Sequence, residues 1–283
     1  MIDILLDALL DTAKLLPFLF LTYLLLELIE HKAAEKTTAL AAKAGKFGPA
    51  VGGLLGAVPQ CGFSASAASL YAGGIISAGT LIAIFISTSD EMLPIMISEK
   101  IAPSRILAIL GIKVLCGIAV GFLVDGIRRF YQKPENKPQI AHMCEEEHCH
   151  CEKGIFPSSL LHTAQIAFFI FLFSLLIGTA IHFIGEENLA AFAAGAGIFT
   201  PLLSGIVGLI PNCASSVVLT QLFLSGVIST GAMLAGLIAN AGVGMLVLFR
   251  VHKKPKTDLL ILFTVYGTGI LIGILFDLFQ IVI

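Results

Sequence analysis

The sequence predicts an all-α polytopic membrane protein made of two inverted repeats, each with three spanning helices and one re-entrant broken-helix hairpin. Three observations predict this fold class: the composition, an internal repeat, and the placement of lysine and arginine. Of 283 residues, 57% are hydrophobic and 13% charged, with a mean hydropathy of +0.96. About a quarter of a soluble domain is charged, so the composition excludes an ordinary soluble protein.

Six apolar stretches are long enough to cross a membrane as helices, which takes roughly 20 residues. They lie at residues 13–30, 76–97, 104–127, 158–183, 228–249 and 258–281. Two further apolar stretches, 48–73 and 200–225, are each interrupted by proline, an amide residue and cysteine. Residues 31–47 have the pattern of an amphipathic helix lying at the membrane interface.

A shift of 152 positions aligns the second half of the chain with the first, which indicates an internal repeat. Glycine, proline, cysteine, serine and aspartate all recur at this shift. The matched pairs include Gly53/Gly205, Pro59/Pro211, Cys61/Cys213, Ser64/Ser216, Gly117/Gly269, Gly121/Gly273 and Asp125/Asp277. We therefore predict a first transmembrane repeat over 1–130, a Cys/His-rich metal-binding loop over 131–157, and a second, inverted repeat over 158–283.

The basic residues predict the topology, because lysine and arginine favour the cytoplasmic side. They gather in 31–47, at the start of the loop from Arg128, and in 250–257, whereas the connector 184–200 has none. All these positions fit if both interrupted stretches are re-entrant hairpins. Three crossings per half then invert the second repeat, with both termini outside and the 128–157 loop in the cytoplasm of a bacterial-type inner membrane.

The hairpin tips are the first candidate site. Each arm is about 11 residues, or roughly 16 Å of helix, so each tip reaches about half of the roughly 30 Å hydrocarbon core. Non-helical backbone at this depth needs a protein or wet environment. The predicted ion-binding residues here are Gln60, Cys61, Ser64, Asn212, Cys213 and Ser216. The structural alternative is a helix break in which Gln or Asn only satisfies loose backbone groups.

The second candidate site is the stretch ISTSDEMLP at residues 86–94. Ser87, Asp90 and Glu91 have the spacing of one helix face, and Pro94 removes the amide that would bond the Asp90 carbonyl. Carboxylates inside a membrane mark ion or proton pathways. The structural alternative is an ion pair with Lys113, but one lysine cannot neutralise two carboxylates.

The second half lacks this acidic motif. Asn240 corresponds to Thr88, and Gly242 corresponds to Asp90. The predicted site is therefore asymmetric, with Asn240 as the contribution of the second half.

The third motif is HMCEEEHCHCE in the long loop. Imidazole and thiolate groups bind metals such as zinc, and five of them lie within eight residues. They are Cys144, His148, Cys149, His150 and Cys151. A disulfide is disfavoured on the reducing cytoplasmic side, which leaves incidental metal binding by a flexible segment as the alternative.

These motifs together resemble a known family. The run GAVPQCGFSASAASLYAGGIISAGTLIAIFISTSDEMLP, the second motif GLIPNCASSVVLTQLF and the Cys/His-rich loop are similar to those of ten-helix heavy-metal exporters, bacterial proteins described as manganese transporters or arsenic efflux proteins. The resemblance covers most of the chain. It implies export of a metal or metalloid across the inner membrane.

We therefore expect a secondary-active transporter that exports a divalent transition or heavy-metal ion, with protons as the coupling ion and no covalent cofactor. The cargo class stays open because oxygen ligands suit manganese and thiolates suit zinc, iron or cobalt. One alternative is a permease for arsenicals or another small solute, and a less favoured one is an intramembrane enzyme. No G-x-x-x-x-G-K-[ST] motif occurs, so the chain supplies no ATPase of this type. The expected partners are the lipid bilayer, metal ions and, as an open alternative, a second copy in a homodimer, but no nucleic acid.

Overall fold

A computed structural model describes residues 47–58, 61–89, 92–131, 155–184, 188 and 199–281, with isolated positions between residues 6 and 24. The regular structure in this part of the chain is helical, which confirms the all-α class. Four segments are long and apolar enough to cross a membrane: Ala78–Ser98, Pro103–Phe130, Thr230–Val251 and Pro255–Leu278. They coincide with four of the six predicted spans, so the protein is a multi-pass membrane protein.

Eleven helices have defined bounds in these ranges. In chain order they are α1 Gly48–Gly56, α2 Cys61–Ala72, α3 Ala78–Ser87, α4 Met92–Ser98, α5 Pro103–Tyr131, α6 Ile155–Ile184, α7 Thr200–Gly208, α8 Cys213–Leu224, α9 Thr230–Ala239, α10 Val243–Val251 and α11 Pro255–Leu278. Helix α6 contains the predicted span 158–183. The predicted span 13–30 is described only at isolated positions, and nearly all of the interfacial helix 31–47 and of the 131–157 loop lies outside the described residues.

The helix boundaries repeat along the chain with the period found in the sequence. Helices α7, α8, α9 and α11 each begin 152 residues after α1, α2, α3 and α5. Within the first half α1, α3 and α5 pack together, and within the second half α7, α9 and α11 do the same. The inverted orientation of the halves and the re-entrant course of the hairpins stay predictions.

Two pairs of helices also pack across the boundary between the halves. Helix α2 packs against α10 of the second half, and α8 packs against α4 of the first. Helix α3 contacts both α9 and α11. The halves are therefore interleaved, and the ends of α3 and α9 lie in the region between them.

An aspartate that recurs in both repeats fixes the start of each central helix. Gly79 N donates to Asp125 Oδ1 at 2.8 Å, and Ser77 Oγ donates to Asp125 Oδ2 at 2.6 Å. The same bonds recur 152 residues later among Ser229, Gly231 and Asp277. The first amides of a helix have no partner within the helix, so each aspartate satisfies such a group and ties α3 to α5, or α9 to α11.

Glycines on α5 and α11 allow close helix contact, as the G-x-x-x-G spacing indicates. A Cβ atom added at Gly117 would lie 2.7 Å from the Ala83 carbonyl oxygen, and one at Gly121 would lie 2.5 Å from that of Gly79. In the second half the same close approach recurs at Gly269 and Gly273. The backbones of α3 and α5 thus pack against each other with no room for a side chain.

We predict that Gly121→Ala lowers the melting temperature by roughly 3–10 °C, because overpacking costs about 1–3 kcal/mol. Thermal unfolding of the purified protein, followed by circular dichroism, measures the shift. Gly126→Ala is the matched control on the same helix, since a Cβ atom there meets nothing within 4 Å. The control should be neutral or stabilising, because alanine favours helix; an equal loss in both variants would contradict the close packing.

Candidate functional site

Two of the predicted spans are each broken in the middle. Helix α3 ends at Ser87 and α4 begins at Met92, whereas α9 ends at Ala239 and α10 begins at Val243. Each span has a most apolar window of 18 residues. In Ala78–Ser98, 75% of this window is buried, and in Thr230–Val251, 89% is buried. In Pro103–Phe130 the buried share is 28%. Non-helical backbone is tolerated at membrane depth only when it is buried in protein or lines a cavity, and both breaks lie in the two most buried spans.

The first break changes the interpretation of the acidic motif. A single helix face shared by Ser87, Asp90 and Glu91 is wrong, because α3 stops at Ser87. Pro94 is the third residue of α4, where its missing amide costs no helical bond, so it begins a helix and does not free a carbonyl within one. Asp90 and Glu91 themselves lie outside the described residues.

Hydroxyl groups line the end of α3. The Oγ atom of Ser87 donates to the Ala83 carbonyl at 2.8 Å, and Thr88 Oγ1 donates to the Ile84 carbonyl at 2.8 Å. Ser89 Oγ donates to the Ser87 carbonyl at 3.1 Å. Each hydroxyl donates its one proton to a backbone carbonyl, so its oxygen can otherwise act only as an acceptor. Oxygen acceptors of this kind suit hard cations.

The second break is held by an amide side chain and a glycine. Asn240 directly follows the last residue of α9, and its Oδ1 accepts from Gly242 N at 2.8 Å. Gly242 has φ 55° and ψ −148°, a conformation almost restricted to glycine. Asn240, predicted as an ion-binding residue, is therefore buried at the break and its carbonyl oxygen is engaged locally.

Lys113 of α5 connects the two breaks. Its side chain is 1% exposed, and Nζ donates to the Thr88 carbonyl and, at 2.9 Å, to the Leu237 carbonyl. The last carbonyls of a helix lack partners within it, and Ala241 N bonds Ala239 instead of Leu237. Lys113 was predicted as a charge partner of the acids; the structure adds carbonyl partners from both halves.

The hairpin residues divide into three groups. Pro59 and Gln60 lie outside the described residues, and the side chains of Cys61 and Cys213, the first residues of α2 and α8, are likewise outside the description. Asn212 caps α8, with Oδ1 accepting from Ala214 N at 3.4 Å. This cap is the local structural role that the sequence left open for the amide.

Two buried serines follow the tips. Ser64 and Ser216 are both buried. A Cβ atom at Gly244 would lie 2.7 Å from Ser64 Cβ, so α2 contacts α10 directly after the second break. At the first break, a Cβ atom at Gly56 would lie 2.7 Å from the Ile84 carbonyl oxygen, so the end of α1 abuts the end of α3. The structure thus brings Ser64 to the second break and the end of α1 to the first.

The described residues contain no group of three or more His, Cys, Asp or Glu that could hold a metal. The five predicted loop ligands, Cys144, His148, Cys149, His150 and Cys151, lie outside this part of the chain. Sequence reasoning missed the carbonyls of Thr88 and Leu237, because any residue supplies a carbonyl and only the helix ends select these two.

Comparison with known families agrees with a multi-pass membrane protein. Residues 1–184 match the family described as "Putative, 10TM heavy-metal exporter". The match spans more than half of the chain, and the protein belongs to this family. Neither the curated proteins nor the solved structures contain a match.

We predict that Gly242→Ala destabilises the second break, because a side chain in this backbone conformation costs about 1–3 kcal/mol. The melting temperature should fall by roughly 2–10 °C. Gly267→Ala on α11 is the control, since a Cβ atom there meets open space. Equal melting temperatures for Gly242→Ala and the wild type would show that the break does not require this glycine.

Proposed function

We propose that this protein is a secondary-active transporter that exports a divalent transition or heavy-metal ion across the inner membrane in exchange for protons. The observation that carries the proposal is the meeting of two buried helix breaks, one from each half, on the ammonium group of Lys113. Transporters place ion sites at discontinuous helices between repeats. Membership of the heavy-metal exporter family gives the cargo class and the direction.

In this proposal the cation binds beside the first break. Asp90 and Glu91 follow Thr88 and Ser89 in the chain, and their carboxylates supply the charge that a divalent ion needs. Ser87 and Asn240 supply polar groups from the two halves, and Gln60, Cys61, Asn212 and Cys213 complete the site from the tips. Ser64 and Ser216 lie behind these residues, one step further from the cation.

The proposed mechanism is alternating access. The interleaved packing of α2 on α10 and of α8 on α4 supports a movement in which each half carries one helix of the other. Inverted repeats, re-entrant hairpins, outside termini and a cytoplasmic 128–157 loop complete the proposal. The loop would then collect metal on the side from which export begins.

The proposal is tested with purified protein in liposomes, with a panel of Mn²⁺, Zn²⁺, Fe²⁺, Co²⁺ and arsenite and with or without a pH gradient. Export of one divalent ion, accelerated by an opposing proton gradient, is the expected result. Transport of arsenite alone would favour the arsenical permease, for which Cys61 and Cys213 offer thiols. Absence of transport for the whole panel would contradict the proposal.

For the ion that is transported, we predict that Asp90→Asn and Glu91→Gln each abolish transport. A carboxylate at the centre of a membrane helix costs about 2.5–3.5 kcal/mol on insertion scales, so neutralisation should not impair insertion. Glu99→Gln is the matched control, because Glu99 is an exposed acid just after α4. Transport at the wild-type rate in both site variants would assign the acids a structural role beside Lys113.

The loop is predicted to raise the local metal concentration. Replacing all five loop ligands, Cys144, His148, Cys149, His150 and Cys151, with serine should raise the apparent KM for metal and leave the maximal rate unchanged. Initial rates across a range of metal concentrations separate the two parameters. Loss of the maximal rate at saturating metal would instead place the loop in the transport pathway.

A further inference from the structure

We infer that Lys113 is a tethered cation that fills an alkali-cation position between the ends of two broken helices. The ammonium nitrogen contacts the carbonyl oxygen of Thr88 at the end of α3 and that of Leu237 in the last turn of α9. These oxygens come from different halves of the protein. The inference does not depend on which ion the protein exports.

The two helix ends at this site favour a cation. A helix C-terminus carries a partial charge equivalent to about −0.5, so two such ends facing one point amount to about one negative charge. The Lys113 ammonium supplies one positive charge at that point, where the side chain is 1% exposed. Burial makes this attraction important, because an uncompensated charge or dipole is costly in a low-dielectric interior.

The chemistry of the site also suits a small metal cation. Ends of half-helices and unwound carbonyls bind Na⁺ in discontinuous-helix transporters. The ammonium group thus occupies a place where two backbone carbonyl oxygens converge, and such oxygens are ligands for a hard cation.

The repeat shows that this lysine is an addition to only one half. Val265 holds the equivalent position on α11 and is fully buried. Both halves therefore accommodate a buried side chain here, but only α5 delivers a charge to the breaks. A single shared cation explains why one lysine serves the ends of two helices.

This inference predicts that removing the ammonium creates a sodium site. Lys113→Met and Lys113→Gln should melt at a lower temperature than the wild type in choline chloride. Sodium chloride at the same ionic strength should raise their melting temperature by roughly 5–10 °C, with saturation. Wild type and Lys113→Arg, which keep a tethered cation, should melt at the same temperature in both salts. Lys100→Met, an exposed lysine after α4, is the control and should behave as wild type.

Two outcomes would overturn the inference. In the first, Lys113→Met and Lys113→Gln each melt at the same temperature in sodium, potassium and choline chloride, or each aggregate in every salt. In the second, the double variant Lys113→Met/Glu91→Gln or Lys113→Met/Asp90→Asn regains the wild-type melting temperature and does not respond to sodium. Lys113 would then be only the ion-pair partner of an acid. Aggregation in choline alone, with monodisperse protein when sodium is present throughout purification, would support the sodium site.

Discussion

The fold depends on the need to satisfy backbone polar groups that are buried far from water. Each break in a spanning helix exposes carbonyls that have no helical partner, and in hydrocarbon each unsatisfied group costs several kcal/mol. Here the buried ammonium of Lys113 contacts the Thr88 and Leu237 carbonyls. Since these carbonyls belong to different halves, one interaction stabilises both breaks and fixes their distance from each other.

The opposite ends of the same helices are held by a different device. Asp125 and Asp277 accept bonds from the first residues of α3 and α9, while glycines bring α5 and α11 into backbone contact with them. Each central helix therefore has its start tied to a long helix of its own half and its end near the other half.

The two halves share a scaffold but differ where chemistry is concentrated. The capping aspartates, the glycine contacts and the helix boundaries repeat, whereas Lys113, Asp90 and Glu91 have no counterparts. Repeated positions carry backbone geometry, which both halves need. Unrepeated charges are expensive in a membrane interior, and one set is sufficient for the site proposed between the halves.

The sequence by itself determined the membrane class, four of the spans and the 152-residue repeat, because hydrophobicity and glycine spacing are local properties. It also identified Lys113, Ser87 and Asn240 as unusual polar residues within apolar spans. Only the tertiary structure decided that Ala78–Ser98 and Thr230–Val251 are broken and that Lys113 joins their ends. The helical spacing of Ser87, Asp90 and Glu91 predicted one continuous face, yet hydroxyl bonds and burial favour a break there. The physical reason is that a helix end is stabilised by partners distant in sequence, Leu237 and Lys113 being 124 residues apart, and no local pattern records such a contact.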